Sequence, residues 1–472
     1  MVQYNQIMPG EETMNPEAGS GKSPPERASS PNPQTSRHRP DTGQPPEGVS
    51  PFSVTYLVKL GELVLKGGNR EGFERILRRN LLAMLHARAP EAQLTRHPGR
   101  FYIRCGAERA EAVENVLSCL MGISGWARAR GTGKTAEAVL AACVEEGKRL
   151  RDGGIRSFKV EARRPDKSFP LSSYDICRAA GDAVCRAVPE LKVDVHNPGG
   201  IISVEIRERA WIYSLGNKGR RGLPVGSAGR GFLLLSGGID SPVAGCLMAG
   251  RGMGLDAVYF HTPPYTSTEA LEKVRRLAEI TGSYAMGIRL YTVNFTRVQR
   301  RIREEAPGEW ATVLLRMAMM EAATILARRC GAKCLITGES LSQVASQTIE
   351  NLACAESRAG LPILRPLVGT DKEGIITMAK DFGTYDTSIL PYPDCCVLFS
   401  PPHPVLRGNT GEAAALYAAL ELTNPGGPDR TGLLYKAVEE AELTKCGYYT
   451  PRSPVDAAAA PACKAMPSMN NY

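Results

Sequence analysis

The sequence predicts a multidomain protein in which two small α+β modules precede a doubly wound α/β domain. The chain has 472 residues, which is more than one ordinary hydrophobic core accommodates. From Gly231 onwards, short apolar strands alternate with helical stretches, and this alternation is typical of a parallel sheet covered by helices. Between residues 54 and 207, strands and helices alternate in two shorter groups, which favours two α+β modules.

The first 50 residues differ from the rest of the chain. They are rich in Pro, Ser, Gly, Glu and Asn and lack apolar periodicity, so we predict a disordered extension over residues 1–50. This segment has four Lys and Arg against six Asp and Glu, whereas the whole chain has a formal charge of +9. The folded part therefore carries the positive excess, which favours an anionic partner such as a nucleic acid.

The bulk sequence argues against secretion and against a membrane span. The N-terminus has neither the basic flank nor the apolar block of a signal peptide, so we expect a cytoplasmic protein. No uninterrupted apolar run reaches the roughly 20 residues of a membrane-spanning helix. Thirteen cysteines are too sparse for a disulfide scaffold in a chain of this length, and we expect most of them to be reduced.

The two modules are predicted at residues 51–125 and 126–216. The first contains a strand-like stretch at 54–67, a helix from Arg70, a strand at 100–105 and a helix at 110–123. The second contains a helix at 134–150, a strand at 157–164, a helix at 173–188 and strands near 191–196 and 201–207.

The α/β domain is predicted over residues 217–410 and begins with a basic, glycine-rich connector at 217–229. Its predicted strands lie at 232–235, 255–261, 283–293 and 334–340, and its longest helix spans about 308–330. Residues 411–472 are expected to contain one firm helix, at 432–443, and a loose tail.

Two stretches compete as phosphate-binding loops. The first, GTGKT (131–135), is similar to the end of a Walker loop, but Arg128 stands where the first glycine is required. No buried strand precedes it either. We therefore interpret this stretch as a basic turn that leads into a helix whose first turn holds Thr135.

The second stretch, FLLLSGGIDSPVAG (232–245), has the context of an anion site. Consecutive glycines permit positive φ and close backbone approach, and the helix that follows adds its N-terminal dipole. Pro242 fits the first turn of that helix, whereas Asp240 would either bind Mg²⁺ or order the loop. The alternative is a tight turn without a ligand. The predicted anion-binding residues are Ser236, Gly237, Gly238, Asp240 and Ser241.

Longer stretches extend the likeness to one family. The loop is similar to that of the PP-loop ATP pyrophosphatases, which cleave ATP to AMP and pyrophosphate and thereby activate an oxygen for displacement. The chain resembles the tRNA 4-thiouridine synthetases (tRNA uridine 4-sulfurtransferases) in VYFHTPPYTS, LLRMAMMEAA, TGESLSQVASQTIENL, RPLVGTDKEGI and LPYPDCC. It is similar to that family's ferredoxin-like and THUMP domains in GELVLKGGNR and FKVEARRPDKSFPLSS. The resemblance, over residues 54–405, implies an N-terminal ferredoxin-like domain, an α/β THUMP domain and a PP-loop domain.

The resemblance also implies an ATP site at the carboxyl ends of the strands. There the loop cradles the pyrophosphate, Arg316 faces the phosphates and Lys372 is a second cation for the transition state. The other implied contacts are Leu234 and Leu235 beneath the nucleotide, Tyr259 and Phe260 beside the adenine (chiefly through their backbone), Gly338 and Gln347. Ser342 departs from the family, which usually has glycine at that place.

The implied reaction is adenylation of O4 of uridine 8 in tRNA, followed by displacement of AMP by sulfur from a cysteine persulfide. The base must leave its stack to reach the site. We predict Cys396 as the carrier, because relatives with one cysteine in this element align it there, and Cys395 as the alternative carrier or the resolving thiol. Two structural thiols are the remaining alternative. Too few residues follow PPHP for the rhodanese domain of longer relatives, and we expect none.

Basic residues around a sheet edge and the connector are predicted to bind tRNA, in agreement with the role of THUMP-type modules. They are Arg163, Arg164, Lys167, Arg178, Lys218, Arg220 and Arg221. A cysteine desulfurase as persulfide donor, a ThiS-type sulfur carrier of thiamine biosynthesis and a second copy of the chain are further expected partners. We expect ATP with Mg²⁺ and no protein metal site, since the pair Cys330 and Cys334 lacks a second pair.

Two other functions remain open. One is a different PP-loop tRNA-modifying enzyme, which the N-terminal modules and the PYPDCC element disfavour. The other is a non-catalytic tRNA-binding protein with a decayed loop, which the complete SGGIDS sequence with Arg316 and Gln347 disfavours.

Overall fold

Three sheets, each with its helices, follow one another along the chain. A computed structural model describes residues 53–62, 69–392, 401–423 and 432–449. These residues belong to one compact unit, and the three sheets have five, five and six strands. The multidomain α/β and α+β class expected from the sequence is confirmed.

The first domain is an antiparallel sheet. Its elements are β1 (Val54–Leu60), α1 (Arg70–Arg88), β2 (Gln93–His97), β3 (Arg100–Cys105), α2 (Ala110–Cys119) and β4 (Ile123–Arg128). The connector adds the short edge strand β10 (Asn217–Lys218) beside β4, and the strand order is β10-β4-β1-β3-β2. The predicted helix from Arg70 and the predicted strand at 100–105 are confirmed. Sequence patterns missed β2, because this edge strand has the largely exposed sequence QLTRH and no apolar alternation.

The two faces of this sheet have different partners. Tyr56 and Val58 lie in one core with residues of α1 and α2. On the opposite face, Leu57 and Tyr102 pack against the next domain, where the ring of Tyr102 stacks on that of Trp211 with 4.5 Å between centroids. The sheet therefore joins its own helices to the second domain.

The second domain has a mixed sheet. Its elements are β5 (Arg130–Thr132), α3 (Ala136–Asp152), β6 (Ser157–Arg163), α4 (Ser173–Ala187), β7 (Lys192–Val193), β8 (Gly200–Ile206) and β9 (Ala210–Tyr213). Strand β6 pairs in parallel with β7 and β8, whereas β9 is antiparallel to β8 and β5. Gly131 and Thr132 of the GTGKT stretch belong to β5, and the hydroxyl of Thr135 caps α3 by accepting from the backbone N–H of Ala138. The stretch leads into a helix as predicted, but Thr135 is the N-cap, outside the first turn. The expectation that no buried strand precedes the stretch is wrong, since most of β4 is buried.

The third domain is the predicted open α/β sheet. It contains β11 (Arg230–Leu234), α5 (Asp240–Gly250), β12 (Gly254–His261), α6 (Thr268–Tyr284), β13 (Ile288–Asn294), α7 (Thr296–Glu305), α8 (Ala311–Arg329), β14 (Leu335–Ile336), α9 (Ile349–Glu356), β15 (Ile363–Leu364), α10 (Lys372–Phe382) and α11 (Tyr385–Ser388), and the short β10 (Asn217–Lys218) precedes it. The strand order β15-β14-β11-β12-β13 is parallel throughout. The carboxyl ends of these strands therefore meet at one edge.

The C-terminal region is more ordered than the sequence suggested. A helix α12 (Thr410–Ala419) precedes α13 (Leu433–Glu439), which is shorter than the predicted helix at 432–443. Residues Glu442–Cys446 form β16, which pairs antiparallel with β13 and completes the six-stranded sheet. The predicted helix is therefore wrong for Glu442 and Leu443, which belong to a strand that pairs with residues about 150 positions earlier in the chain. The last 20 residues, predicted to be loose, lie outside the described residues.

Helix α8 crosses the centre of the third domain. Together with the preceding 3₁₀ turn (Gly308–Trp310), it is the helix among the described residues that is long and apolar enough to cross a membrane. Of its apolar window, 72% is buried inside the protein, as in the core helix of a folded domain.

The connector joins the first and third domains through a buried arginine. Arg220, predicted to bind RNA, has a side chain that is only 6% exposed and is ion-paired with Asp381 near the end of α10. It also donates to the carbonyl oxygens of Ser118 and Asp381, and it lies over the ring of Phe382. The prediction that Arg220 contacts RNA is therefore wrong, because its buried guanidinium bridges α2 and α10.

Replacing Arg220 with alanine should destabilise the protein. The change removes an ion pair and several hydrogen bonds from a buried position, which is expected to cost about 2–4 kcal/mol of unfolding free energy. Thermal unfolding followed by circular dichroism measures this as a lower Tm. Arg178→Ala, at an exposed position of α4, is the control and should leave the Tm unchanged. Equal Tm values for both variants would contradict the structural role of Arg220.

Candidate active site

The SGGIDS stretch forms a closed turn between β11 and α5. The backbone N–H of Ser236 donates to Oγ of Ser241 over 2.9 Å, and the two serine hydroxyls lie 3.1 Å apart. The N–H of Gly238 approaches Oγ of Ser236 at 3.3 Å, and the carbonyl of Gly238 accepts from Ser388 at 3.2 Å. The turn is thus held from within by serine side chains and from outside by α11.

Two details of this turn differ from expectation. Neither Gly237 nor Gly238 has the left-handed φ that consecutive glycines would permit. Ser241 was expected to offer its hydroxyl to a phosphate, but its side chain is buried and points to Ser236. Helix α5 begins at Asp240 and includes Pro242 in its first turn, as predicted.

Asp240 is the centre of a small polar cluster. Its Oδ1 accepts from Nζ of Lys372 at 2.7 Å, and its Oδ2 accepts from the amide of Gln343 at 3.1 Å. A carboxylate is favoured at the start of α5, but a lysine at the start of α10 is opposed by the helix dipole. The Asp240 carboxylate offsets this cost. Sequence patterns could not reveal Gln343, because it lies 103 residues from its partner.

Gly338 allows β14 to approach the turn. A Cβ atom at this position would lie 2.5 Å from the backbone nitrogen of Ser241. No real side chain tolerates that distance to backbone. The expected close approach at Gly338 is therefore present, and its partner is the first turn of α5.

Two arginines and a buried glutamate lie at the same edge of the sheet. Arg316 of α8, expected to face phosphates, is ion-paired with Glu339, whose side chain is 4% exposed. Oε2 of Glu339 also accepts from Nε of Arg365 at 2.7 Å and from the hydroxyl of Thr337 at 2.8 Å. The resemblance did not point to Glu339 or Arg365. Glu339 lies three residues after the end of β14 and Arg365 directly follows β15, and these positions were the signal that could have found them.

The aromatic residues of β12 do not present their rings to the site. Tyr259 is 2% exposed and Phe260 is 5% exposed, and they belong to the cores on opposite faces of the sheet. Strand β12 extends beyond Val258, the partner of Leu234 at the end of β11, so the backbone of Tyr259 and Phe260 passes the turn. Leu235 follows as a buried residue whose N–H donates to the carbonyl of Val258.

Gln347 and Ser342 shape the loop after β14. The N–H of Ser342 donates to the carbonyl of Gln347 over 2.9 Å. The amide oxygen of Gln347 is buried and has no hydrogen-bond partner among the described residues. Ser342 has a φ of 61°, a left-handed conformation that favours glycine, which explains why glycine is usual there in the resembling family.

The predicted sulfur carriers Cys396 and Cys395 lie outside the described residues. Just before them, the buried Lys273 of α6 donates to the carbonyl oxygens of Leu390 at 2.8 Å and Tyr392 at 3.4 Å. Within the described part of the chain, burial raises the pKa of seven thiols: Cys105, Cys143, Cys177, Cys246, Cys334, Cys354 and Cys446. The described residues contain no cluster of three or more His, Cys, Asp or Glu that could hold a metal ion.

The predicted RNA-binding residues fall into three groups. Arg163, Lys167, Arg178, Lys218 and Arg221 are exposed. Arg164 is half-buried, and its guanidinium donates to the carbonyl of Phe169. Arg220 is buried between domains, as described above.

A parallel sheet with an SGGxDS turn at its carboxyl edge, preceded by two α+β domains, defines a PP-loop protein with added N-terminal modules. Family models agree: residues 55–127 match the ThiI ferredoxin-like domain, 134–215 the THUMP domain and 226–422 the thiamine biosynthesis protein ThiI.

Individual relatives are more specific. The chain is 48% identical to a probable tRNA sulfurtransferase of Treponema pallidum over 373 residues, which are 78% of this chain and 92% of the relative. It is 44% identical to one of Caldanaerobacter subterraneus over 351 residues, 74% and 91% of the two chains. A 4-thiouridine synthetase crystallised with RNA and bound ATP is 34% identical, with a TM-score of 0.74 over 83% of this chain and 99% of that one. The chain belongs to the tRNA sulfurtransferase (4-thiouridine synthetase) family and is an enzyme of this type.

Replacing Ser342 with glycine should stabilise the protein. Glycine relieves a left-handed backbone cost of roughly 1–2 kcal/mol but adds unfolded-state entropy, so we expect a net gain of up to about 1 kcal/mol. Chemical denaturation measures it. Ser346→Gly, in the 3₁₀ turn Ala345–Gln347, is the control and should destabilise. A loss of stability in Ser342→Gly would contradict the claim that the left-handed backbone of Ser342 costs free energy.

Proposed function

We propose that this enzyme adenylates O4 of uridine 8 in tRNA and then replaces the activated oxygen with sulfur, which gives 4-thiouridine. In the first step, O4 attacks the α-phosphate of ATP and pyrophosphate leaves. In the second step, sulfur attacks C4 and AMP leaves. The observation that carries the proposal is the Asp240–Lys372 contact beside the SGGIDS turn, since it places a cation at the first turn of the helix that the phosphates would approach.

The site fits ATP in several respects. The start of α5 directs the positive end of its helix dipole toward an anion beside the turn. Lys372 and Arg316 supply cations for the charge that develops on the phosphates. The buried amide oxygen of Gln347 would be satisfied by an adenine amino group or a ribose hydroxyl. The relative with bound ATP supports the same assignment.

Magnesium fits Asp240 less well. Both carboxylate oxygens already accept hydrogen bonds, from Lys372 and from Gln343. Asp240 therefore orders the turn and orients Lys372, which is one of the two roles considered from its sequence. Mg²⁺ would accompany ATP through its phosphates, and no step is derived through it.

We propose Cys396 as the sulfur carrier. Its persulfide attacks C4, which leaves a disulfide between Cys396 and the thiolated base; Cys395 then attacks the Cys396 sulfur, releases 4-thiouridine and forms a Cys395–Cys396 disulfide that a dithiol reductant resets. Thiolate formation is required for such chemistry, and it is disfavoured at the seven described thiols whose pKa is raised by burial.

The remaining partners complete the proposal. Exposed basic residues of the second domain and the connector, among them Arg163, Lys167 and Arg178, would contact tRNA phosphates. The relative solved with RNA supports tRNA as the substrate. A cysteine desulfurase would load Cys396 in the cytoplasm, and a ThiS-type carrier would be a second sulfur acceptor. A homodimer is part of the same proposal.

Replacing Asp240 with asparagine should abolish adenylation without unfolding the protein. Asparagine keeps the shape but no longer holds Lys372 by charge, so 4-thiouridine formation should fall at least about 100-fold. The assay contains tRNA transcript, ATP and sulfide, and it quantifies 4-thiouridine by nucleoside mass spectrometry together with AMP. Asp386→Asn, an exposed carboxylate of the same domain, is the control. Wild-type rates in Asp240→Asn would refute the assignment, and wild-type enzyme that adenylates another tRNA position would favour a different PP-loop enzyme.

Replacing Cys396 with serine should separate adenylation from sulfur transfer. The variant should bind ATP and tRNA and release AMP, but make no 4-thiouridine when a desulfurase and cysteine supply the sulfur. Free sulfide should restore part of the product, because HS⁻ attacks the activated base directly. Cys330→Ser, a half-buried thiol hydrogen-bonded to Tyr291, is the control. If Cys396→Ser and Cys395→Ser both sulfurate tRNA normally with the desulfurase, the carrier assignment is wrong.

A further inference from the structure

A buried carboxylate holds the arginine that the proposed function assigns to the phosphates. Glu339 follows Gly338 directly, and Gly338 packs on the first turn of α5. Glu339 therefore lies beside the anion-binding turn, at the carboxyl end of β14. An acidic side chain repels an anionic ligand, so its burial beside this turn requires an explanation.

The contacts of Glu339 are divided between its two oxygens. Among the described residues, Thr337 and Arg365 reach Oε2, at 2.8 and 2.7 Å, whereas Arg316 reaches Oε1. Arg365 stays close to Glu339 after such a change, because its Nη1 also donates to the Glu356 carboxylate at 3.0 Å. Removing Arg316 from this network would leave Glu339 with one hydrogen-bonded guanidinium and one hydroxyl.

This asymmetry determines which arginine can leave. A buried carboxylate without a partner is very costly, but one that keeps a charged partner is not. Arg365 thus lowers the energetic cost of releasing Arg316. The two arginine side chains are similarly exposed, 18% for Arg316 and 14% for Arg365, so the difference between them is the second carboxylate, Glu356, that holds Arg365 in place. Arg365 still has a buried nitrogen, Nη2, without a hydrogen-bond partner among the described residues, so it has capacity for a further acceptor.

We propose that Glu339 is a positioning residue that holds Arg316 ready beside the turn and exchanges it with the phosphates of ATP, while Arg365 neutralises Glu339 after the exchange. The proposal rests on the assignment of Arg316 to ATP in the proposed function. The exchange has two consequences for the affinity for ATP, and they are opposite in direction. Without the Glu339 charge, ATP no longer has to compete for Arg316 and binds more tightly. Without Arg365, Glu339 retains Arg316 more strongly and ATP binds more weakly.

The test is isothermal titration calorimetry of the full-length protein with ATP, without tRNA so that no turnover occurs. Glu339→Gln keeps an acceptor for Thr337 and Arg365, and we expect its Kd for ATP to fall at least about fivefold. Arg365→Gln should raise the Kd by a similar factor. The control is Glu304→Gln, which makes the same charge change at a side chain of α7 that is 60% exposed and lies outside this network, and its Kd should stay within about twofold of wild type.

A double-mutant cycle shows whether the effect passes through Arg316. In an Arg316→Gln background, Glu339→Gln should leave the Kd unchanged. If Glu339→Gln tightens binding equally in both backgrounds, a through-space charge effect explains it and the exchange is wrong. If it weakens binding or changes nothing in the wild-type background, the exchange is also wrong.

The same titrations separate this inference from the proposed function. Wild-type protein that does not bind ATP, or an Arg316→Gln variant that binds it normally, overturns the assignment of Arg316 and the exchange with it. Suppose that the wild-type protein binds ATP and that Arg316→Gln weakens this binding. If Glu339→Gln then does not tighten it, only the exchange is wrong and the assignment of Arg316 stands. Should Glu339→Gln not fold, Arg365→Gln takes its place in the cycle: it should weaken ATP binding in the wild-type background and leave the Kd unchanged in the Arg316→Gln background, and equal weakening in both would overturn the exchange.

Discussion

The ion pair between Asp240 and Lys372 connects the two helices on which the site depends. Asp240 begins α5 and Lys372 begins α10, and 132 residues separate them in the chain. Each helix directs its positive dipole end toward the same region, which is favourable for an anion but unfavourable for a lysine. The carboxylate compensates the lysine, so that an anion can meet two helix N-termini and a cation without the site repelling itself.

Helix α10 carries this arrangement to the interface with the first domain. Its first residue contacts the turn, and near its last residues Asp381 and Phe382 contact Arg220 of the connector. Eleven residues of helix span about 16 Å. Leu223 and Val225, which follow Arg220, lie in one continuous core with residues of both domains. The first and third domains therefore share a core, and the third is not expected to be stable as a separate fragment.

The parts that sequence predicted well are those in which the cause is local. The SGGIDS turn follows a buried strand and precedes a proline-containing helix start, and the Walker-like GTGKT could be rejected by counting to Arg128. Arg316, Gln347 and Lys372 came from the family resemblance, not from any local pattern. The described structure places all three at the carboxyl edge of the sheet.

The parts that sequence could not predict depend on contacts between distant residues. The burial of Arg220 requires Asp381, which lies 161 residues further on, so an arginine in a basic, glycine-rich connector looked like a surface residue. Glu339 and Gln343 acquire their importance from Arg365 and Asp240, and β16 becomes a strand because β13 offers it an open edge. The only sign in the sequence of the positive φ at Ser342 was that the resembling family usually has glycine at this position.

Adenylation and sulfur transfer place opposite demands on the side chains that perform them. Activation of ATP needs charges whose positions are fixed, and Asp240, Lys372, Arg316 and Glu339 all have defined partners at short distances. A sulfur carrier must instead ionise, exchange sulfur with a donor protein and then reach the activated base. Burial opposes each of these steps: it raises the pKa of Cys246 and of Cys446 to about 12, and it hides the thiol from a donor. For the reaction proposed above, the packed surroundings of Asp240 and Arg316 are therefore unsuited to a sulfur carrier, and the two proposed steps require different parts of the chain.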